Sequence, residues 1–127
     1  MQNYMMIHMM LRVEDSQRSV KFSEDAFGFH VTRQKDKPDK KFDLIYLSDD
    51  DENFELELTY NYGHGPYDLG DGYGHLAISV PDLEASWQRH HDMGLDLRPL
   101  SGIDEGKKNF YFMQDPDGYK IEVMRAK

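Results

Sequence analysis

The sequence predicts an α+β fold made of two βαβββ modules in tandem, about residues 5–62 and 73–126, within a single domain of residues 1–127. Three observations predict it. The chain repeats itself: His8-Met9-Met10-Leu11-Arg12-Val13-Glu14-Asp15 lies over His75-Leu76-Ala77-Ile78-Ser79-Val80-Pro81-Asp82 at an offset of 67, which superposes His, Val and Asp and sets Leu11 on Ile78. Each block then runs into a stretch carrying helix start and stop signals. Apolar residues alternate with period two in the flanking segments, the pattern of strands with one covered face.

Taken in order, the opening strand puts Met9, Leu11 and Val13 on an apolar face and His8, Met10 and Arg12 on the other. DSQRSVKFSEDAFG follows as a helix, with Asp15 or Ser16 as N-cap and Gly28 as stop. Three strand-like segments complete the half. In the last of them Phe54, Leu56, Leu58 and Tyr60 oppose Glu55, Glu57, Thr59 and Asn61, and the Asp49–Asn53 run before it reads as a hairpin connection. The Gly- and Tyr-rich loop from Asn61 to Tyr73 joins the halves and is too short and aromatic for a free linker. In the second half Leu76, Ile78 and Val80 oppose His75, Ala77 and Ser79. PDLEASWQRHHDMG is the helix, with Pro81 and Asp82 at its start and Gly94 at its stop. Trp87 is expected in the core, and the tandem His90-His91 on an exposed face. Asp115-Pro116-Asp117-Gly118 is a hairpin turn, after which Ile121 and Val123 oppose Lys120, Glu122 and Met124. Helices covering the apolar faces leave His8, Glu57, His75 and Glu122 on the opposite ones.

Composition narrows the function classes. A formal charge of −9 argues against a phosphate-backbone binder, which needs an accumulated basic face. With no cysteine, thiolate zinc sites, disulfides and cysteine nucleophiles are excluded. No apolar run approaches the roughly 20 residues of a spanning helix. The Met-rich start lacks a basic n-region and a cleavage site, so the expectation is a cytoplasmic, acidic protein without nucleic-acid or membrane partners.

His8 and Glu57 are 49 residues apart, and His75 and Glu122 are 47 apart, so each half offers an imidazole on its first strand and a carboxylate on its last. A lone strand His or Glu is ordinarily solvated, but recurrence at matched positions in both halves singles these four out. If the two halves, or two chains, bring those faces together, one site collects two imidazoles and two carboxylates. That donor set suits a divalent first-row ion such as Ni, Co, Zn, Fe or Mn. Arg12 and Asn61 share faces with His8 and Glu57. They rank second, as does Lys108 in the loop after Asp104 and Glu105, because spacing alone reads all three as surface polar groups. His30 and His64 have no repeat partner.

The stretches HMMLRVEDSQRSVKF, ELTYNYG, GYGHLAISV and DPDGYKIEV closely resemble the glyoxalase I (lactoylglutathione lyase) family of the vicinal oxygen chelate superfamily, nearly end to end over about residues 7–125. The compact length is similar to the bacterial nickel- and cobalt-preferring class, with Zn a further possibility for the metal. The resemblance implies that His8, Glu57, His75 and Glu122 are metal ligands. It also implies that a homodimer builds two sites, each taking one pair from each chain. Glu122 would be the base, with Glu57 as its counterpart. Arg12 and Asn61 would hold the γ-glutamyl end of glutathione, the co-substrate, and Lys108 its glycine carboxylate. The implied reaction converts the hemithioacetal of methylglyoxal and glutathione to S-D-lactoylglutathione by a hydrogen shift between neighbouring carbons. Two departures stand out: Ser23 replaces a tyrosine common after the helix phenylalanine, here Phe22, and Asp104 and Glu105 make the 102–109 loop acidic. Rival readings are another metalloenzyme on the same scaffold, such as a dioxygenase or epimerase, and a metal-free small-molecule binding protein. The second carboxylate, Glu57, counts against an iron site of two His and one carboxylate.

Overall fold

The computed structural model describes residues 1–103 and 106–127, so the acidic pair Asp104-Glu105 lies outside the described residues. The chain divides into two compact units, Met1–Asp68 and Leu69–Lys127.

In the first unit the order is β1 (His8–Val13), α1 (Ser16–Phe27), β2 (His30–Lys37), β3 (Phe42–Ser48) and β4 (Glu55–Asn61), in a sheet ordered β1-β4-β3-β2. β1 and β4 are parallel, and the other neighbours antiparallel. Asp15 caps α1, its side chain accepting from the Arg18 amide at 3.1 Å. Gly28 ends the helix at φ 70°, its N–H donating to Glu24 O at 2.9 Å. The buried face of α1 is small: Ser19, Ser23 and Ala26. Ser23, the departure noted in the sequence, therefore fills a helix–sheet packing position. Leu11, Val13, Ile45, Leu47 and Leu58 form the strand side of the core. β2 carries a bulge between Val31 and Arg33.

The second unit runs β5 (Leu76–Val80), α2 (Leu83–Asp92), β6 (Phe110–Gln114) and β7 (Lys120–Arg125), in a sheet ordered β5-β7-β6. Asp82 caps α2 through the Ala85 amide at 3.0 Å, and Gly94 follows its end at φ 75°. The predicted βαβββ plan holds, with one local difference. The strand expected after α2 is reduced to isolated bridges, Leu97 with Met113 and Ser101 with Phe110. Pro99 explains the gap: it has no N–H to give to the ladder, while Arg98 N and Ser101 N on either side still donate to Phe112 O and Phe110 O at 2.8 Å. Tyr111, Met113, Ile121, Val123 and Leu83 make this core.

Two helix expectations are corrected. His90 is not exposed: at 2 % exposure it is among the most buried side chains, its Nδ1 2.7 Å from the Tyr111 hydroxyl, which also meets Ser86 Oγ at 2.7 Å. Trp87 is only half-buried, with its indole N–H donating to Arg98 O at 3.0 Å and its ring stacked on the exposed His91.

The Asp115–Gly118 turn is tied by its first residue, whose carboxylate accepts from the Asp117 and Tyr119 amides, both at 2.9 Å. Burial pushes this carboxyl up to about 6, against the pull of those amides. The folded chain thus holds this proton more tightly than the unfolded chain. Asp115 works against stability above pH 6, and its penalty is relieved as pH falls through 6 toward 4. Asp115→Asn keeps an acceptor oxygen but no charge. The stability gained by the variant should accordingly be larger at pH 7.5 than at pH 5, read from denaturant midpoints. A pH-independent difference would refute this.

Candidate metal centre

The first pair lies on neighbouring parallel strands. His8 opens β1 and Glu57 sits in β4, where Met10 is its register partner. Their side chains meet at 3.7 Å, His8 Nε2 to Glu57 Oε2, with His8 34 % and Glu57 12 % exposed. The second pair repeats this. His75 lies one residue before β5, and Glu122 in β7 is the register partner of Ala77, again two residues beyond the His. His75 Nε2 is 3.3 Å from Glu122 Oε1, with exposures of 41 % and 14 %. Each pair therefore combines an accessible imidazole with a carboxylate largely withdrawn from water. Among the described residues no group of three or more His, Cys, Asp or Glu side chains is gathered to hold a metal ion, so each unit by itself offers two donors. Imidazole nitrogen and carboxylate oxygen, converging at these separations with one carboxylate per pair to balance a cation, fit a divalent first-row ion.

The second-rank residues are placed less uniformly. Arg12 is exposed in β1 on the His8 side of the strand. Asn61 ends β4, and its amide donates to the Tyr67 hydroxyl at 2.8 Å. Tyr67 in turn stacks on His64, with centroids 3.9 Å apart. Lys108 is exposed in the loop before β6, its Nζ 3.4 Å from Leu100 O. Lys108 has no part in either His–Glu pair.

Several neighbours of the pairs were not singled out from the sequence. Tyr46 in β3 is the register partner of Glu57, is 4 % exposed, and donates its hydroxyl to the Glu57 carboxylate. That bond, reinforced by burial, raises the phenol above its ordinary value. The Tyr46 ring meets His8 edge-on at 5.9 Å and carries the Arg33 guanidinium 3.8 Å from its centroid. Arg33 bonds Glu55 at 3.0 and 3.3 Å, and Thr32 also donates to Glu55; the two hold that carboxyl below its usual range. In the second unit Phe112 is the register partner of Glu122, and it meets His75 edge-on at 5.2 Å. A cleft of about 320 Å³ opens beside His75, lined also by Tyr73, Arg98, Phe112, Gln114 and Lys120. No helix among the described residues is long and apolar enough to cross a membrane.

Comparison with known proteins shows the family. Residues 6–123 match the family described as the glyoxalase/bleomycin resistance protein/dioxygenase superfamily. The lactoylglutathione lyase of Haemophilus influenzae is 39 % identical over 124 residues, 95 % of this chain and 92 % of that protein. The solved trypanothione-dependent glyoxalase I of Leishmania major is 35 % identical, with a TM-score of 0.85 over 97 % of this chain and 87 % of the other. Glyoxalase I of Zea mays has a TM-score of 0.86 at 35 % identity, over 96 % of this chain and 44 % of its own longer chain.

Proposed function

Because the chain belongs to the glyoxalase/bleomycin resistance protein/dioxygenase superfamily, we propose that it is a metal-dependent lactoylglutathione lyase, which removes methylglyoxal by isomerising its glutathione hemithioacetal to S-D-lactoylglutathione. The observation that carries this reading is the recurrence of one His–Glu pair in both units, with the same strand register and matching exposure. His8, Glu57, His75 and Glu122 would hold the ion, Ni or Co in preference to Zn, in a homodimer whose sites each take the first pair from one chain and the second from the other. When bound, the ion supplies Lewis-acid charge that offsets the negative charge left on the substrate by proton loss.

The remaining chemistry belongs to side chains. Glu122 takes the carbon-bound proton and returns it to the adjacent carbon, a shuttle that consumes no redox cofactor. Its low exposure keeps the proton from exchanging freely with water. Arg12 and Asn61 grip the γ-glutamyl end of the thiol, where an Arg fork matches a carboxylate. Tyr67 orients the Asn61 amide. Lys108 serves the glycine carboxylate. Residues 1–127 act as one catalytic domain of two modules. The cytoplasm, where the thiol pool is kept reduced, is the proposed compartment.

The test is thioester formation from methylglyoxal and glutathione by metal-stripped protein reconstituted separately with Ni, Co and Zn. Restoration by Ni or Co and hardly by Zn is the expected result. Strong restoration by Zn would overturn the metal preference. Stoichiometric binding without activity would overturn the substrate, and other thiols and catechols would then be assayed.

A further inference from the structure

The two units repeat their His–Glu pairs, but the aromatic residue opposite each carboxylate differs by one oxygen atom. Tyr46 faces Glu57 across the β3–β4 register, and Phe112 faces Glu122 across β6–β7. Each ring meets its own histidine edge-on, at 5.9 Å for Tyr46 with His8 and 5.2 Å for Phe112 with His75. The hydroxyl exists only in the first unit. We propose that Tyr46 is a positioning residue whose O–H anchors Glu57 as the fixed carboxylate, while the phenyl ring of Phe112 leaves Glu122 the mobile one. The inference deepens the reading above and rests on it.

A carboxylate that must reorient while it moves a proton between neighbouring carbons is hindered by a second hydrogen bond that has to break each time. One that only holds the ion benefits from such a bond, because supporting donors fix ligand orientation. Tyr46 is suited to anchoring because it cannot follow a moving partner. The ring is 4 % exposed and lies under the Arg33 guanidinium at 3.8 Å, and Arg33 is itself bonded twice to Glu55. Phe112 has no donor to offer the carboxylate across the register, and it lines the cleft beside His75. The division of labour between two equivalent carboxylates is thereby written in a Tyr/Phe difference.

Two single-atom variants test it, with Ni²⁺ and Co²⁺ affinity measured by competition with a coloured chelator. Tyr46→Phe keeps the ring packing and should weaken metal binding about tenfold or more, in the range found on removing supporting groups of metal ligands. It should also alter the Co²⁺ absorption spectrum, with the metal-free unfolding midpoint little changed. A purely structural tyrosine would move that midpoint and leave the affinity of the folded protein alone. Phe112→Tyr gives Glu122 the missing donor. It should hold metal at least as tightly as the parent, yet lose about tenfold in kcat with KM unchanged, because the proton shuttle is restrained. Tyr46→Phe binding within about twofold of the parent, or Phe112→Tyr at parental kcat, overturns the inference while the parent's own metal binding and turnover keep the functional reading intact. If Tyr46→Phe fails to fold, Phe112→Tyr decides alone. A parent protein that binds no divalent metal overturns both.

Discussion

Replacing Glu122 by glutamine should lower kcat by on the order of 10³, the middle of the range for loss of a positioned general base. The change is nearly isosteric at a residue 14 % exposed on β7, between the buried Ile121 and Val123, so the fold should be retained. The amide oxygen still offers the ion a donor, so metal should remain bound, only more weakly. Turnover, not binding, is what the substitution removes. Glu57→Gln gives the contrast: on β4, bonded to Tyr46, it should chiefly weaken metal affinity. The measurement is steady-state thioester formation at saturating metal, with metal content determined on the same samples. Near-normal turnover by metal-loaded Glu122→Gln would show that the base lies elsewhere, with Glu57 the first place to look.

The second large effect concerns the imidazoles. His8→Ala and His75→Ala should each reduce metal affinity by more than the roughly 10–100-fold that follows loss of a supporting group, because a direct donor is removed. Both side chains are at least one-third exposed, and neither belongs to the buried core, so thermal stability of the metal-free protein should change little. Activity at micromolar metal should vanish in both, and excess metal should recover only part of it. Either variant with parental affinity would remove that histidine from the ligand set.

Much of the fold was legible in the residues themselves. Alternation in Met9, Leu11 and Val13 against His8, Met10 and Arg12 declared the faces of β1, and the Asp and Gly signals bounded both helices to within a residue or two. The two His–Glu pairs were legible because they recur, and recurrence separates a candidate site from the ordinary scatter of polar residues. What escaped has physical causes. β3 is covered on both faces, with Ile45, Tyr46, Leu47 and Ser48 all buried, so it carries no alternation that would mark Tyr46 as facing Glu57. Only the antiparallel register with β4 reveals that partner. His90 follows Leu83 and Ser86 at helical spacing, so its burial was written in the 3.6-residue period. It was masked because a histidine counts as polar until Tyr111 is seen to satisfy it. The broken strand around Pro99 is a backbone effect that a pattern of apolar residues does not register.

In the proposed homodimer each site joins the first His–Glu pair of one chain to the second pair of the other, and mixed dimers put this arrangement to the test. Two double variants are prepared, His8→Ala with Glu57→Ala and His75→Ala with Glu122→Ala, each inactive alone. They are unfolded together, refolded and reconstituted with Ni²⁺. If sites form across a homodimer, each mixed dimer contains one site with both pairs intact. Random pairing should then return about one quarter of the parental activity and metal content, half the dimers carrying half their sites. If each site is built within one chain, every site lacks a pair and the mixture stays inactive. That result would overturn the cross-chain site.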